Sequence, residues 1–208
     1  MIFCKAPIPG QVKTRLIPAL SQEQAVQIHK ELSENTFHLA NKTSLCPIQL
    51  WCSPTTEHPF YQQAAVNFNF SLQTQQGSDL GARMYHAFVT AFKQFNNAVL
   101  IGCDCPSLTH NELQEAFSAL NNNNNAVLAP TEDGGYVLIG LDQPLEPLFT
   151  EMPWGTSNVL SITRTRITEA KLNSVELLEQ WDVDMVKDLL RYKKQSPAFI
   201  PANPSKFI

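Results

Sequence analysis

The sequence predicts an α/β fold, a three-layer sandwich around a mostly parallel sheet, as a single domain over residues 1–208. Three observations predict it. Short apolar runs at 2–5, 48–52, 67–72, 99–101, 126–130, 137–141 and 173–177 alternate with longer stretches of helical periodicity. The run 99–101 is apolar at consecutive positions, as in a strand buried on both faces. A carboxylate, Asp104, follows just past its end, where ligands bind in open α/β sheets.

The elements follow in order. After the strand 2–5 comes Ala6-Pro7-Ile8-Pro9-Gly10-Gln11-Val12-Lys13-Thr14-Arg15-Leu16, whose prolines and glycine exclude a regular helix or strand. This loop collects Lys5, Lys13 and Arg15, a composition suited to polyphosphate or to a solvated basic loop. It is not a Walker A loop, because Val12 rather than glycine precedes Lys13. Ser21-Gln22-Glu23-Gln24 is a capping box, and Ala25, Ile28, Leu32 and Leu39 give the helix after it an apolar stripe. A strand at 48–52, a short helix at 60–65 and a strand at 67–72 come next. Gln76 to Met84 opens a helix with Leu80, Met84, Ala87, Phe88, Ala91 and Phe95 facing the core. The glycines and Asp79 at its start fit either close approach to a ligand or ordinary capping.

Beyond the central strand, Gly102 permits close backbone approach and Pro106 ends the pairing. Thr109-His110-Asn111-Glu112 is a second capping box, followed by the stripe Leu113, Ala116, Phe117 and Leu120. The asparagine run 121–125 is a surface turn. Asp133-Gly134-Gly135 between two apolar runs reads as a hairpin turn, which makes 136–141 the expected antiparallel excursion. Pro153-Trp154-Gly155-Thr156-Ser157 precedes a helix at 158–168. Trp181-Asp182-Val183-Asp184 leads into an amphipathic C-terminal helix. Asp184 can serve as its cap; Asp182 has no such role. Aspartates at i and i+2 in an extended segment face the same way. With Asp104 they suit a hard divalent cation, Mg²⁺ or Mn²⁺.

Composition narrows the class. The formal net charge is −4 with no basic stripe, which argues against a nucleic-acid partner. No apolar run reaches membrane-spanning length, and no signal peptide is visible at the N-terminus. The five cysteines are odd in number and mostly within apolar strands, as expected of reduced thiols in a cytoplasmic protein. Cys103-x-Cys105 has no second Cys or His cluster at a metal-binding spacing.

With the pieces placed, the chain resembles nucleotide-diphospho-sugar transferases of the GT-A type. The matching motifs are Phe3 to Gly10 with Val12 to Leu16, Gln76-Gly77, Asp79 to Gly81 and Arg83-Met84. Ile101 to Pro106, Asp133 to Tyr136 with Ile139 to Leu141, Pro153 to Thr156, and Trp181 to Asp184 complete them. They span nearly the whole chain and are most similar to the bacterial "glycosyltransferase A" set, also called radical-SAM/selenodomain-associated transferases. More distantly they are similar to guanylyltransferases for phospholactate and the molybdenum cofactor. Classical GT-A glycosyltransferases carry Asp-x-Asp; here Pro106 stands two after Asp104, a pattern closer to nucleotidyltransferases.

The resemblance implies roles residue by residue. Lys5, Gly10, Lys13 and Arg15 would hold nucleotide phosphates, with Asp79 and Arg83 near the nucleotide. Asp104, Asp182 and Asp184 would hold Mg²⁺ or Mn²⁺, and Lys13 and Asp104 are the candidate catalytic pair. Asp133, Gly134, Gly135, Tyr136, Trp154 and Thr156 would line the pocket of a small acceptor. The expected reaction is metal-dependent transfer from an NTP or an NDP-sugar, with the protein positioning the partners. The competing class is a nucleotide-binding module without catalysis; the retained aspartates and loop cations speak against it. No covalent nucleophile is needed, and Cys105 has no evident base partner. The carboxylate of Asp104 is expected to converge with at least one of Asp182 and Asp184. Read as surface residues, Lys13 and Arg15 are expected to tolerate alanine with folding nearly intact, within about 0.5 kcal/mol.

Overall fold

The computed structural model describes residues 1–17 and 19–195. Among them, β1 (Ile2–Lys5), β2 (Gln49–Ser53), β3 (Ser71–Thr74), β4 (Ala98–Ile101), β5 (Ala126–Pro130), β6 (Tyr136–Leu141) and β7 (Ser174–Glu176) form one sheet. Its order is β3-β2-β1-β4-β6-β5-β7. The pairs β1–β2, β1–β4, β2–β3 and β5–β7 are parallel, whereas β6 runs antiparallel to both β4 and β5. The antiparallel strand therefore falls where the Asp-Gly-Gly turn predicts it.

Alternate residues of the inner strands serve opposite faces. Ile2, Cys4, Leu50, Cys52, Val99 and Ile101 share a core with Phe37 of α1 (Gln22–Thr43), Tyr61 of α2 (Pro59–Phe68) and Leu113 of α4 (His110–Asn121). Phe3, Trp51, Ala98 and Leu100 turn the other way, onto Met84 and Phe88 of α3 (Leu80–Ala91) and Ile167 of α5 (Val159–Glu169). These are the three layers. A third core sits beside them. Leu16 and Leu20 of the first loop and Ile28 and Leu32 of α1 pack with Trp181, Val183, and Leu189 and Tyr192 of α6 (Val186–Gln195). Tyr192 donates to Glu31 at 2.6 Å and accepts from Asn35 at 2.9 Å, fixing α6 on α1.

Both capping boxes form, at Ser21 for α1 and Thr109 for α4. One boundary differs from the sequence reading. The short helix runs to Phe68, and the strand expected at 67–72 begins at Ser71. Phe60, Ala64 and Phe68 recur at helical spacing, and Phe60 and Phe68 both pack on Phe37. Asn69, in the left-handed conformation, then ends the helix.

Candidate active site

A cleft of about 360 Å³ opens at the carboxyl ends of β1, β3 and β4. Lys5, Lys13, Arg15, Gln75, Leu80 and Asp104 are among its lining residues, with Cys4, His29 and Cys103 at its floor. Loop, strand end and C-terminal segment meet here.

Lys13 is the junction. Its Nζ donates to Asp104 Oδ2 at 3.0 Å and to the Val183 carbonyl at 2.7 Å. The Val183 amide in turn donates to the Asp104 carbonyl at 2.9 Å. The Lys13 side chain is only 5% exposed, so it is not the surface residue the sequence suggests. Its backbone is left-handed, φ 48°, an uncommon state for a residue with a Cβ and one that the surrounding contacts must hold. The Lys13 ammonium holds the Asp104 carboxyl below the usual carboxylate range, outweighing burial.

Arg15 and Asp184 form an ion pair, both partly open to solvent. Asp184 therefore does not cap α6; the Asp188 carboxylate does, accepting from the amides of Asp184 at 3.3 Å and Met185 at 2.7 Å. Because the Arg15 side chain is 59% exposed, Arg15→Ala is expected to move stability by less than about 0.5 kcal/mol. Thermal denaturation would check this, and a nucleotide titration should show weakened binding in the same sample.

Asp182 differs from its neighbours. No hydrogen bond or ion pair reaches its carboxylate among the described residues. Burial first, then the Asp104, Asp133 and Asp184 carboxylates, push it up to about 6 against the opposing pull of Lys13. Those four aspartates thus share one neighbourhood, and the segments carrying Asp104, Asp182 and Asp184 do converge. They do not form a closed cage: among the described residues no group of three or more His, Cys, Asp or Glu side chains is arranged to hold a metal ion. Lys13 occupies the Asp104 carboxylate instead.

The remaining residues singled out in the sequence are largely occupied by the fold. Asp79 caps α3, accepting from the Ala82 amide at 2.9 Å, and Arg83 donates to the Gly77 carbonyl at 3.2 Å. Gly10 adopts φ 74° at an exposed turn. Asp133 Oδ1 accepts from the Thr131 hydroxyl at 2.6 Å and the Gly135 amide at 3.0 Å, closing the β5–β6 turn. Tyr136 and Trp154 pack edge to face at 6.4 Å, and the Tyr136 hydroxyl and Trp154 Nε1 are both buried. Thr156 is exposed and donates to the Pro153 carbonyl at 2.8 Å.

Gly134 joins these two turns. At φ 88° it takes a conformation that favours glycine, and a Cβ there would lie 2.2 Å from the Ser157 carbonyl oxygen. Gly134→Ala is expected to destabilise the fold by about 2 kcal/mol, measurable by denaturant titration. Unchanged stability would mean that the 131–135 turn relaxes without cost.

Cys4, His29, Gln75 and Leu80 were not legible as site residues. His29 and Ser33 did leave a signal: an i, i+4 polar pair on an apolar helix face, both buried. His29 Nε2 donates to the Lys5 carbonyl at 2.8 Å and lies 4.0 Å from Cys4 Sγ. Cys103 shares the same buried core as Cys4 and lines the cleft with it. Against burial, Cys103 and His29 draw the Cys4 thiol down, while burial and Cys4 push Cys103 up.

Known structures share this architecture. A protein from Desulfovibrio desulfuricans G20, described provisionally as a nucleotide-diphospho-sugar transferase, is 27% identical, with 99% of this chain and 90% of that one covered at a TM-score of 0.81. The CMP:2-keto-3-deoxy-manno-octonic acid synthetase complexed with CTP is 8% identical, covering 95% and 98% of the two chains at a TM-score of 0.58. Rv0371c from Mycobacterium tuberculosis H37Rv, in complex with manganese, is 13% identical, covering 91% and 95% at a TM-score of 0.54. The last two likenesses speak for the fold alone. Together with the sheet order they make this a mostly parallel α/β fold of the nucleotide-diphospho-sugar transferase kind. No curated protein sequence matches the chain. Residues 36–156, from the middle of α1 to the turn beyond Trp154, match the family described as "Uncharacterized protein conserved in bacteria (DUF2064)", and the chain belongs to that family.

Proposed function

We propose that the protein is a divalent-metal-assisted transferase that takes a nucleotidyl group from an NTP, or a sugar from an NDP-sugar, to a small acceptor. One observation carries this reading. Lys5, Lys13 and Arg15 line a cleft at the strand carboxyl ends, facing a group of aspartates in which Asp182 has no cationic bonding partner among the described residues. Cations arranged this way meet phosphate oxygens. A carboxylate held among like charges fits a hard cation that would neutralise it.

Asp182 with Asp104 or Asp184 would hold the metal. Bound there, it would withdraw charge from phosphate oxygens as a Lewis acid. Lys13 is already fixed by Asp104 and Val183, so its ammonium needs little reorganisation to stabilise developing negative charge. Arg15, more exposed, binds and orients. Leu80, the first residue of α3 and 44% exposed at the cleft wall, offers an apolar surface to a base or sugar face.

A thermal-shift screen of nucleotides and NDP-sugars with Mg²⁺ or Mn²⁺ tests binding, since a ligand selective for the folded state raises Tm. Turnover of the hits over phosphorylated and sugar acceptors tests transfer. Binding without product from any acceptor would favour the non-catalytic module; no shift with any nucleotide would sink the reading.

A further inference from the structure

The cleft floor carries chemistry that phosphate transfer does not use. Ile2 and Ile101 are register partners on the parallel strands β1 and β4. Two residues further along from each of these stand Cys4 and Cys103, both buried in the same core on one face of the sheet. Cys52, the β2 register partner of Cys4, lies on its other side, with its thiol directed to the Leu50 carbonyl at 3.5 Å. His29 and Ser33 of α1 close the cluster, at 4.0 Å and 3.5 Å from Cys4 Sγ. Cys4 and Cys103 are buried in the fold yet both line the cleft, whereas Cys52 does not. All five cysteines are free thiols.

We infer that Cys4 and Cys103 form a site of oxidative modification, a dithiol that a hydroperoxide entering the cleft closes to a disulfide. The Cys4 thiolate attacks a peroxide oxygen; the O–O bond breaks, the other oxygen leaves as an alcohol or water, and Cys4 becomes a sulfenic acid. The Cys103 sulfur then attacks the Cys4 sulfur. The S–S bond forms, the S–O bond breaks, and the sulfenic oxygen leaves as water with the Cys103 proton. Two thiols and one hydroperoxide give one disulfide, one alcohol or water, and one water; the thiols lose two electrons and the peroxide gains them. The neighbouring His29 imidazole and Ser33 hydroxyl favour the attacking thiolate.

The bond has a consequence for the site, which rests on the nucleotide reading above. A disulfide spans about 2.05 Å between sulfurs, far less than a non-bonded contact between two thiols. Closing it draws Cys103, the covalent neighbour of Asp104, toward β1 and disturbs the carboxylate that holds Lys13.

The test uses the full chain carrying Cys46→Ser, which removes the exposed thiol. It is treated with stoichiometric hydrogen peroxide and digested without reductant. A peptide pair linked through Cys4 and Cys103, lighter by two hydrogens and separated by dithiothreitol, is expected. Cys103→Ser should stop the reaction at a Cys4 sulfenic acid that dimedone traps. Linkage of Cys4 to Cys52, or both thiols intact while Cys105 oxidises, would overturn the proposal. The disulfide form should bind nucleotide on the order of tenfold more weakly than the reduced form. Equal binding by the two forms would overturn the inhibitory consequence. If neither form binds nucleotide, the proposed function fails, while the peptide mapping still decides the thiol chemistry.

Discussion

Lys13→Ala is expected to lower transfer at least a hundredfold and to cost stability as well. The rate estimate is the order lost on removing one preorganised donor, roughly 10²–10³. The stability cost follows from burial: the variant leaves the Asp104 carboxylate and the Val183 carbonyl without their shared cation. Breaking a fully buried pair costs about 3–5 kcal/mol. The Asp104 side chain is 44% exposed, so solvent screens part of this, and about 2 kcal/mol is the expected loss. For a chain of this length that is a fall in Tm of roughly 4–8 °C. The effect has a sign with pH. Lys13 depresses the folded-state pKa of Asp104 below its ordinary 3.8, so the pair stabilises the fold above that value. Its contribution is lost as pH falls through the depressed value. Melting curves of wild type and variant should therefore converge in strong acid and stay apart at neutral pH. Superimposed curves at pH 7 would show that Lys13 does not hold Asp104 in solution.

Asp182→Asn is expected to do the opposite to stability while also removing activity. Asp182 titrates near 6 in the fold against 3.8 ordinarily, so the folded protein binds its proton more tightly than the unfolded chain does. That advantage is complete below about pH 4 and is lost as pH rises through about 6; at neutral pH the ionised carboxylate is a net burden. Asparagine removes the burden. Asp182 is only partly buried, so after solvent screening the gain is about 1 kcal/mol, or roughly 2–4 °C in Tm. It should be present above pH 6 and vanish below pH 4. Turnover should fall at least a hundredfold, the loss expected when a metal-bound transition state loses a ligand. Mn²⁺ should raise the Tm of the wild type and leave the variant unmoved. A variant less stable at pH 8, or one that keeps its Mn²⁺ response, would remove Asp182 from the metal site.

What could be read from the chain follows the range of the interactions involved. The capping boxes at Ser21 and Thr109 and the Asp133-Gly134-Gly135 turn are local signals, and the elements they announce are present. The antiparallel β6 follows from that turn, because a chain reversing within five residues cannot make a parallel crossover. The α2–β3 boundary was misplaced because the helix is extended by a tertiary contact, Phe68 on Phe37. The convergence of the segments bearing Asp104 and Asp182 was legible, since like charges have no common structural use. The burial of Lys13 was not: its two partners come from β4 and the C-terminal segment, and a lysine in a Pro-Gly loop gives no sign of them. Asp79 and Asp133 show the reverse case, in which an acidic residue beside glycines is satisfied by the local backbone.

The third core has a bearing on how the molecule is assembled. Lys13 meets Val183 across a sequence separation of 170 residues, and Leu16 and Leu20 are covered by Trp181, Val183, Leu189 and Tyr192. Contacts of such separation incur the full entropy of loop closure and form late in folding. The central sheet can pair strand by strand as synthesis proceeds, but the first loop has only Ile28 and Leu32 of α1 for apolar cover until the segment 181–195 has left the ribosome and docked. Throughout that interval Lys13 lacks the Val183 carbonyl and Arg15 the Asp184 carboxylate that hold them in the folded chain. The helix α6 thus acts as a keystone: it lies apart from the strands that define the fold, yet its arrival completes the core that seats the first loop.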